Sequence, residues 1–596
     1  MQSAATVLSI LRERGKQGVP LTQLYRQLFN PQFYLLAYGR LYANNGAMTP
    51  GTTGETVDGM SLATITRIID ALRYERFRWT PVKRVYIPKR NGKRRPLGLP
   101  TWSNKLVQEV VRLLLEAYYD IQFSGHSHGF RPNRGCHTAL DAVVHGWKGT
   151  HWFIEGDISA CFDRLDHQTL VGILGEKIHD NRFLRLIGTM LKAGYLEDWH
   201  WHATLSGSPQ GGICSPILSN LYLDRLDRFV ETELLPRYNR GQRRRPNPAY
   251  EEIGWAIARA TRKGDGQAVH ALRQQRRGLP SQDPNDLNYR RLRYIRYADD
   301  FLLGFSGPKV EAEEIKRHIG AFLRDTLKLE LSADKTLITH AQTEAAHFLG
   351  YELVAQHADD KLDRRGQRQV NGVLGLRVPE AVITKKCSLY MRNGKPAQRA
   401  QMLDDSDYTI VSRYQAEYRG LVQYYLLAQN VSRLGKLRWV METSLLKTLA
   451  GKHRSSVPKM ARRYKTTIET SEGRRTCFRV TVLRGEGKKP LVAQFGGIPL
   501  KRQRTATLMD HAPSLANTRQ NEVVTRLLAG CCELCGVRGT IQVHHIRKLA
   551  DLHRPGRREK PAWMTIMAMR RRKTLVVCRP CHDDIHAGRC TTSLRR

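Results

Sequence analysis

The chain has 596 residues, of which 41% are hydrophobic, so it is too long for a single core and we expect three or more domains. It carries 97 lysine and arginine residues against 55 aspartate and glutamate residues, a formal net charge of +42. That charge is too large for an ordinary solvated surface and indicates a polyanionic partner bound through many phosphates. Membrane binding is disfavoured because no apolar run reaches the roughly 18 residues of a spanning helix and no basic amphipathic anchor stands out.

The N-terminal sequence MQSAATVLSILRERGKQ lacks the apolar core of a secretory signal, so we expect a cytoplasmic protein that is not secreted. In a reducing compartment the 11 cysteines are metal ligands or core residues rather than disulfide partners. Six of them lie between Cys531 and Cys590, which predicts a local site instead of a framework that spans the chain.

Residues 1–80 are predicted to be mostly helical, with one turn-rich interruption. Residues 82–100 predict a basic hairpin with strands VKRVYIP and RRPLGLP around a turn at Arg90-Asn91-Gly92. An apolar helix is predicted from Lys105 to Tyr119. The sequence SHGFRPNRGCHTALDAVV then predicts a basic, glycine-containing loop followed by a helix.

A buried strand is predicted in WFIEGDISACFD, and it ends in the carboxylate of Asp157. The sequence SGSPQGGICSPILSNLYLDRLD predicts a glycine-rich loop that leads into a helix. Residues 236–291 form a polar, arginine-rich insertion, and YIRYADDFLLGF after it predicts two short strands joined by a tight turn. Asp299 and Asp300 at that turn repel each other and lose solvation unless cations neutralise them, and Mg²⁺ is the expected cation.

The composition changes after about residue 373. Residues 373–460 are predicted to be helical, with amphipathic elements in YRGLVQYYLLA and RLGKLRWVMETSLLKTLA. Residues 461–520 are basic and of low periodicity, as in a linker or a small domain. Residues 521–596 form a module that is rich in cysteine and histidine.

The C-terminal module contains two Cys-x-x-Cys pairs with the spacing of a four-thiolate structural zinc site. The cysteines are Cys532, Cys535, Cys578 and Cys581. Between the pairs, IQVHHI predicts a strand that carries the adjacent residues His544 and His545. After the second pair begins, CHDDIH places His582 and His586 four residues apart, on one face of a helix.

Asp157, the PQGG loop and the YADD turn occur in one order, and several ordered motifs together are highly specific. In these segments the sequence resembles the reverse transcriptases, and within them the group II intron-encoded proteins, or maturases. The matching segments are YIPKRNGKRRPLGLP, SHGFRPNRGCHTAL, EGDISACFD, SGSPQGGICSP, YIRYADDFLLGF, LSADKTLITH and FLGYEL. The resemblance spans roughly residues 20–460 and continues into the C-terminal module.

The resemblance implies that three carboxylates, Asp157, Asp299 and Asp300, hold two Mg²⁺ ions. Such ions activate the primer 3′-hydroxyl and neutralise charge on the incoming triphosphate. It also implies that Phe162 is the bulky gate that rejects a ribose 2′-hydroxyl, with a core phenylalanine as the alternative.

The resemblance implies further contacts to nucleotide and template. Lys89 and Arg95 match residues that contact the triphosphate, although general binding of the RNA backbone would explain either one. Gln210 and Gly211 match the loop beside the nucleotide and template, where glycine lets the backbone approach the substrate, and an ordinary turn is the alternative. Lys335 is expected to support the catalytic hairpin or the primer, unless it is only a surface lysine.

The C-terminal module resembles the HNH endonucleases. His545 would be the general base that activates water, and His544, His582 and His586 would hold a single divalent ion, with Mg²⁺ expected. His582 and His586 could instead contact phosphate. The four cysteines would hold Zn²⁺ and fold a module that is too small to be stable alone.

One alternative for the module is a two-zinc nucleic-acid-binding finger that cleaves nothing. One departure from the family bears on the strength of the nuclease activity. The middle asparagine of the family, expected shortly before the final helix, is not apparent, because RKTLVV occupies that region. Another residue would then have to position the base.

Together these features predict an α+β multidomain protein. It would contain a right-hand-like polymerase with an antiparallel sheet in fingers and palm, a helical thumb (domain X) and a small zinc-bound ββα-metal HNH module. The expected domains are the N-terminal extension and start of the fingers (1–80), fingers and palm (81–372, with the insertion 236–291), the thumb (373–460), a basic DNA-binding region or linker (461–520) and the HNH endonuclease (521–596).

This combination resembles the full-length mobile group II intron protein. It implies a ribonucleoprotein with group II intron RNA that promotes splicing, nicks target double-stranded DNA and extends the nicked end with dNTPs (retrohoming). On DNA the protein would be nucleoid-associated, and no membrane partner is expected. Two alternatives stay open, a maturase that mainly binds RNA and a host-domesticated reverse transcriptase. The sequence leaves open the DNA target, the cognate intron and the oligomeric state.

Overall fold

The computed structural model describes residues 2–589 with short gaps. The gaps are residues 45, 89–91, 93, 199, 205, 208–210, 285, 359–360, 362–363, 365–367, 369, 471, 484–488, 506–520, 550–551 and 553–560. Two predicted nucleotide contacts, Lys89 and Gln210, therefore lie outside the described residues, as do Arg90 and Asn91 of the predicted turn. Within the described part of the chain, no helix is both long and apolar enough to cross a membrane.

Helices dominate residues 1–80, as the sequence predicts, and a hairpin and two further helices follow up to residue 146. The elements are α1 (Ala4–Gln17), α2 (Pro31–Leu41), β1 (Met60–Ser61), α3 (Leu62–Arg73), β2 (Val82–Pro88), β3 (Arg94–Leu99), α4 (Trp102–Tyr119) and α5 (Cys136–Gly146). Side chains of Ser3, Asn30 and Thr101 cap α1, α2 and α4 by accepting hydrogen bonds from backbone N–H groups of the first turn. The predicted basic hairpin is confirmed, because β2 and β3 pair antiparallel.

The middle of the chain contains the main sheet. The elements are β4 (Trp152–Asp157), α6 (Cys161–Arg164), α7 (His167–Gly175), α8 (Asn181–Leu191), β5 (Tyr195–Glu197), β6 (His200–His202), α9 (Ser215–Phe229), α10 (Leu235–Tyr238), α11 (Pro248–Arg262), α12 (Gly266–Arg277), β7 (Arg291–Tyr297), β8 (Asp300–Ser306), α13 (Lys309–Leu327) and β9 (Leu337–His340). The arginine-rich insertion folds into the contacting helices α11 and α12.

The main sheet has the strand order β7-β8-β4-β9, and all neighbouring strands are antiparallel. Successive side chains of a strand point to opposite faces, so a sheet that is covered on both sides must be apolar on both. Ile154 and Leu303 lie in the first of two large cores, whereas Phe153 and Leu302 lie in the second. The sheet therefore separates the N-terminal helices from the downstream helical part.

The downstream part is helical, as predicted, but it also contains strands. The elements are β10 (Ala346–Phe348), β11 (Tyr351–Ala355), β12 (Leu374–Arg377), α14 (Glu380–Ser388), β13 (Met391–Arg392), β14 (Lys395–Pro396), α15 (Asp407–Tyr424), α16 (Gly435–Lys452), α17 (Val457–Tyr464), β15 (Lys465–Thr470), β16 (Gly473–Val482) and β17 (Leu491–Gly496). Residue 460, where the sequence placed a boundary, lies inside α17.

Strands β15, β16 and β17 form an antiparallel sheet in the region of low periodicity. The sheet packs on α15, where the ring of Phe495 lies 5.6 Å from that of Tyr418 and 6.2 Å from that of Tyr414. The backbone N–H of Gly496 donates to Gln415 Oε1 at 3.0 Å. This part of the region is thus a folded extension of the helices before it.

The C-terminal module packs against the N-terminal helices. Its elements are α18 (Glu522–Leu528), β18 (Ile541–His545), α19 (Ala562–Arg570), β19 (Thr574–Cys578) and α20 (Arg579–Ala587). Strand β18 pairs with β19 on one edge and with β1 on the other, so one sheet joins the two ends of the chain. Leu527 and Val543 of the module belong to the first large core. Asn521 Nδ2 also donates to the Gly39 carbonyl of α2 at 3.0 Å.

Candidate metal centres

Three aspartates meet at one end of the main sheet. Asp157 ends β4 and lies opposite Asp300, the first residue of β8, in the antiparallel register. Asp299 occupies the turn between β7 and β8, where Ala298 adopts a left-handed conformation with φ of 56°. The backbone therefore places these carboxylates beside one another, and Asp157, Asp299 and Asp300 are called the carboxylate centre below.

The charges of the carboxylate centre are not balanced by the protein alone. Burial, followed by the negative charges of Asp299 and Asp157, raises the pKa of Asp300 to about 7. Burial also raises the pKa of Asp299, against the opposing charges of Lys335 and Arg95. Lys335 Nζ donates to Asp157 Oδ2 at 2.8 Å. Half-buried carboxylates that repel one another suit hard divalent cations such as Mg²⁺, which prefer oxygen ligands.

A buried arginine forms an ion pair and hydrogen bonds that hold the turn of the carboxylate centre. Arg296 is fully buried, and its Nη2 lies 2.5 Å from Asp227 Oδ2. Its Nη1 donates to the Ala298 carbonyl at 2.7 Å and its Nη2 to Ser127 Oγ at 3.0 Å. Tyr294 donates from its hydroxyl to Asp227 Oδ1 at 2.7 Å. The ion pair thus fixes the backbone of the residue that precedes Asp299.

The SHGF segment packs directly on the same turn. A Cβ atom on Gly129 would lie 2.3 Å from the Ala298 nitrogen, so only glycine fits there. The Gly129 carbonyl accepts a hydrogen bond from Asn220 Nδ2 at 2.9 Å, and the His128 N–H donates to the Arg296 carbonyl at 2.9 Å. Sequence analysis identified the segment but not this positioning role.

The remaining described candidates for nucleotide contact lie on α6, in the loop before α9 and on β3. Phe162 is half-buried on α6, with its ring 6.4 Å from that of Phe130 in an edge-to-face contact. Gly211 has φ of 104°, and a Cβ atom there would lie 2.6 Å from the Gly98 carbonyl oxygen of β3. Arg95 is an exposed residue of β3, opposite Ile87. Gly211 therefore packs closely on β3 of the basic hairpin.

Four cysteines of the C-terminal module converge, as the sequence predicts. Their sulfur atoms lie within 4.8 Å of one another, and they are called the cysteine cluster: Cys532, Cys535, Cys578 and Cys581. Burial alone would raise the pKa of Cys532, but backbone N–H groups from Cys535 and Cys578 lower it to about 7. Burial raises the pKa of Cys578 and of Cys581. Four thiols in this arrangement fit a tetrahedral Zn²⁺.

Three histidines converge with an aspartate that sequence analysis missed. Ligand atoms of His544, His582, His586 and Asp58 lie within 4.8 Å of one another, and the four residues are called the histidine centre. His582 and His586 share one face of α20, as predicted, with ring centroids 4.6 Å apart. Burial alone would raise the pKa of Asp58, but the imidazoles of His544 and His582 hold it well below its usual range. Imidazole nitrogens and a carboxylate oxygen are suitable ligands for a divalent transition metal.

His545 lies beside the histidine centre but is buried, with 5% of its surface exposed. Its Nδ1 lies 3.2 Å from the Val543 carbonyl oxygen, and its Nε2 lies 3.4 Å from the Tyr38 hydroxyl of α2. Burial lowers the pKa of His545 to about 4. The ring is therefore neutral near pH 7, and a proton on Nδ1 leaves Nε2 as the acceptor.

Family models match three successive parts of the chain. Residues 87–353 match the reverse transcriptase (RNA-dependent DNA polymerase) model. Residues 379–477 match the type II intron maturase model, and residues 532–582 match the HNH endonuclease model of the AI2M/AI1M-like type. The carboxylate centre lies in the first match, and all four cysteines of the cysteine cluster lie in the third.

Curated relatives match nearly the whole chain. The group II intron-encoded protein LtrA of Lactococcus lactis subsp. cremoris is 37% identical over 98% of this chain and 99% of its own length. A 91 kDa protein in the cob intron of Schizosaccharomyces pombe is 32% identical over 95% of this chain and 70% of its own. A COX1/OXI3 intron 2 protein of Saccharomyces cerevisiae is 28% identical over 95% of this chain and 66% of its own. The chain belongs to the group II intron-encoded proteins and joins reverse transcriptase, maturase and HNH endonuclease domains.

Proposed function

We propose that the carboxylate centre copies RNA into DNA and that the histidine centre nicks DNA to make the 3′ end that primes this copying. The register of Asp157 opposite Asp300, with Asp299 in the adjoining turn, is the observation that carries this proposal. Three carboxylates at one sheet end would hold two Mg²⁺ ions, which when bound supply charge neutralisation and activation of the primer 3′-hydroxyl. Arg296 and Gly129 hold the turn, so the carboxylates keep their spacing during turnover.

In this proposal the polymerase has the right-hand arrangement expected from the sequence. The main sheet is the palm, the N-terminal helices and the basic hairpin are the fingers, and the helical part that begins near residue 373 is the thumb. Arg95, with Lys89 nearby in sequence, binds the triphosphate of a dNTP, since its charge already acts on Asp299. Phe162 rejects the ribose 2′-hydroxyl.

Two further residues receive roles in this proposal, one in the loop before α9 and one beside Asp157 at the end of the main sheet. Gly211 lies close to β3 of the basic hairpin, and on the family resemblance Gln210, the residue before it, contacts nucleotide or template. Lys335 holds Asp157 through a charge-assisted hydrogen bond when no metal is bound and supports the catalytic hairpin.

In the C-terminal module, the cysteine cluster holds a structural Zn²⁺ and the histidines His544, His582 and His586 hold a divalent cation. A divalent cation held by these residues would supply charge stabilisation for the scissile phosphate and the leaving oxygen. His545 accepts a proton from water at Nε2 after the Tyr38 hydroxyl has moved away from that nitrogen. The Val543 carbonyl accepts a hydrogen bond from Nδ1–H, so backbone geometry takes the orienting role of the missing asparagine.

The protein acts as a ribonucleoprotein with intron RNA, and double-stranded DNA is its target. The net charge of +42 suits both nucleic acids, because each bound phosphate neutralises a lysine or arginine. Nicking precedes copying, since the nick supplies the 3′-hydroxyl that the carboxylate centre extends. These steps place the protein on DNA in the cytoplasm or nucleoid.

The test uses the protein purified with its own lariat RNA and an intact duplex that carries the insertion site. The unaltered protein should nick one strand and extend it with dNTPs, whereas Asp299→Asn should nick at the same rate and extend at least ~10³-fold more slowly. Extension by Asp299→Asn at the unaltered rate would exclude the two-metal assignment. Recovery of the lariat without nicking or extension would instead leave a maturase that only binds RNA.

A further inference from the structure

An aspartate from the N-terminal segment lies inside the histidine centre. Asp58 directly precedes Gly59 and β1, and β1 pairs antiparallel with β18 through Met60 opposite Val543. The Gly59 N–H donates to the Val543 carbonyl at 3.0 Å. The backbone of the N-terminal segment is therefore fixed against the strand that carries His544.

The carboxylate of Asp58 is close to all three histidines of the centre. Its Oδ1 lies 3.2 Å from His544 Nδ1 and 3.3 Å from His582 Nε2. Its Oδ2 lies 2.7 Å from His586 Nε2. Only 13% of the Asp58 side chain is exposed, so the carboxylate faces the histidines rather than solvent. Four ligand atoms thus surround a small shared space.

His544 is the member of the centre that hydrogen bonds do not satisfy, whereas His582 and His586 lie within hydrogen-bond distance of the Asp58 carboxylate. Its side chain is 6% exposed; Nδ1 faces Asp58 Oδ1 at 3.2 Å without hydrogen-bond geometry, and Nε2 makes no hydrogen bond to any residue that the structure describes. A buried polar atom without a partner costs about 1–3 kcal/mol. A cation between His544 and the Asp58 carboxylate would satisfy the nitrogen that faces it and remove that cost.

We propose that Asp58 is the fourth protein ligand of the divalent cation in the histidine centre, so the N-terminal segment of the polymerase completes the nuclease site. The inference rests on the proposed nuclease and names the ligand set of the same site. Three imidazoles and one carboxylate select a transition-metal dication such as Mn²⁺ over Mg²⁺, which prefers all-oxygen ligation. The nuclease would then bind its metal only while the N-terminal segment is docked.

The test measures Mn²⁺ binding by electron paramagnetic resonance on the full chain loaded with one equivalent of Zn²⁺, which the four thiolates of the cysteine cluster bind first. The chain also carries Asp299→Asn, so that the carboxylate centre does not contribute a second set of ions. We expect Asp58→Asn to weaken Mn²⁺ binding at least ~10-fold, and Asp58→Glu, which keeps a carboxylate, to recover part of that affinity. Unchanged affinity in Asp58→Asn would overturn the proposal.

Glu55→Gln is the matched control. Glu55 lies three residues earlier on the same segment and accepts a hydrogen bond from the Ser103 N–H at 3.2 Å, away from the histidines. Its substitution should leave Mn²⁺ affinity unchanged. Equal weakening by Glu55→Gln and Asp58→Asn would mean that a disturbed segment, and not a lost ligand, reduces affinity, and would also overturn the proposal.

Nicking distinguishes failure of this inference from failure of the proposed nuclease. If the Asp299→Asn chain nicks the duplex while Asp58→Asn binds Mn²⁺ equally well, the inference fails and the nuclease stands. If Mn²⁺ binding depends on Asp58 but no duplex is nicked, the ligand assignment stands and the nuclease fails. Faster nicking by Asp58→Asn with unchanged Mn²⁺ affinity would mean that Asp58 blocks the histidine centre, and would contradict its role as a ligand.

Discussion

The carboxylate centre and the histidine centre bring their residues together in different ways. Asp157 and Asp300 are opposite residues on neighbouring strands of one sheet. In the histidine centre, Asp58 accepts a hydrogen bond at 2.6 Å from the N–H of His545, which lies 487 residues later. The first centre forms whenever its sheet folds, whereas the second also requires the two ends of the chain to dock.

The two centres also differ in their balance of charge. Burial and the neighbouring carboxylates raise the pKa of Asp300 to about 7, and burial raises that of Asp299, so the site is suited to bound cations. The histidine centre already pairs a carboxylate with imidazoles, and Asp58 keeps a pKa well below its usual range. We therefore expect the first centre to respond mainly to loss of charge and the second mainly to loss of docking.

The largest expected effect follows from removing zinc, which should abolish the activity of the histidine centre but not that of the carboxylate centre. Cys532→Ser should abolish zinc binding and nicking, because structural zinc contributes on the order of 10 kcal/mol to such modules. Primer extension on a pre-nicked duplex should continue. Zinc content by mass spectrometry and the two rates measure the effect, with Cys531→Ser, a neighbouring cysteine outside the cluster, as control. Loss of primer extension in Cys532→Ser would contradict the claim that the carboxylate centre forms independently of the C-terminal module.

The second prediction concerns the ion pair beneath the carboxylate centre. Arg296→Met should lower the stability of the polymerase by about 3–5 kcal/mol, because it leaves Asp227 buried without its partner. Denaturant unfolding followed by intrinsic fluorescence measures the change, and extension should fall with it. Arg324→Met removes an exposed ion pair with Asp325 and should change stability little. Equal midpoints for both variants would contradict this role for Arg296.

A smaller effect is expected from the proposed sugar gate. Phe162→Ala should raise ribonucleotide incorporation roughly 10–100-fold relative to dNTP incorporation, because it removes bulk beside the ribose. The ratio of kcat/KM for the two substrates measures discrimination, and nicking serves as the internal control. An unchanged ratio would leave Phe162 as a packing partner of Phe130.

The smallest expected effect concerns the contact of Tyr38 in the polymerase with His545 in the nuclease. Tyr38→Phe frees His545 Nε2 from a hydrogen bond worth about 1 kcal/mol, so nicking should become roughly fivefold faster. Tyr34→Phe, on the same helix with its hydroxyl on the Leu28 carbonyl, is the control and should leave nicking unchanged. Slower nicking by Tyr38→Phe would mean that the hydroxyl assists the base.

The sequence predicted those features that local patterns encode. The buried strand before Asp157, the hairpin around Asp299 and the basic hairpin are each short runs with a clear apolar or alternating pattern. The cysteine cluster was predictable because Cys-x-x-Cys spacing restricts the chemistry. Placement of His582 and His586 followed from helical periodicity.

Features that depend on docking were not predictable. Strands β16 and β17 bury alternating residues, Phe478 with Val480 and Ala493 with Phe495, but in β16 the arginines on the other face obscure the alternation. Asp58 lies in a turn-rich stretch with no local pattern that points to metal binding. Arg296 could be expected as a surface residue, because arginine is almost never fully buried unless it is paired.

Primer extension by His545→Ala on two matched duplexes, one intact and one already nicked at the insertion site, tests most directly whether cutting and copying use separate centres. We predict that this variant extends the pre-nicked duplex at the unaltered rate and leaves the intact duplex uncut and unextended. Extension of the intact duplex, or failure on both duplexes, would contradict the account.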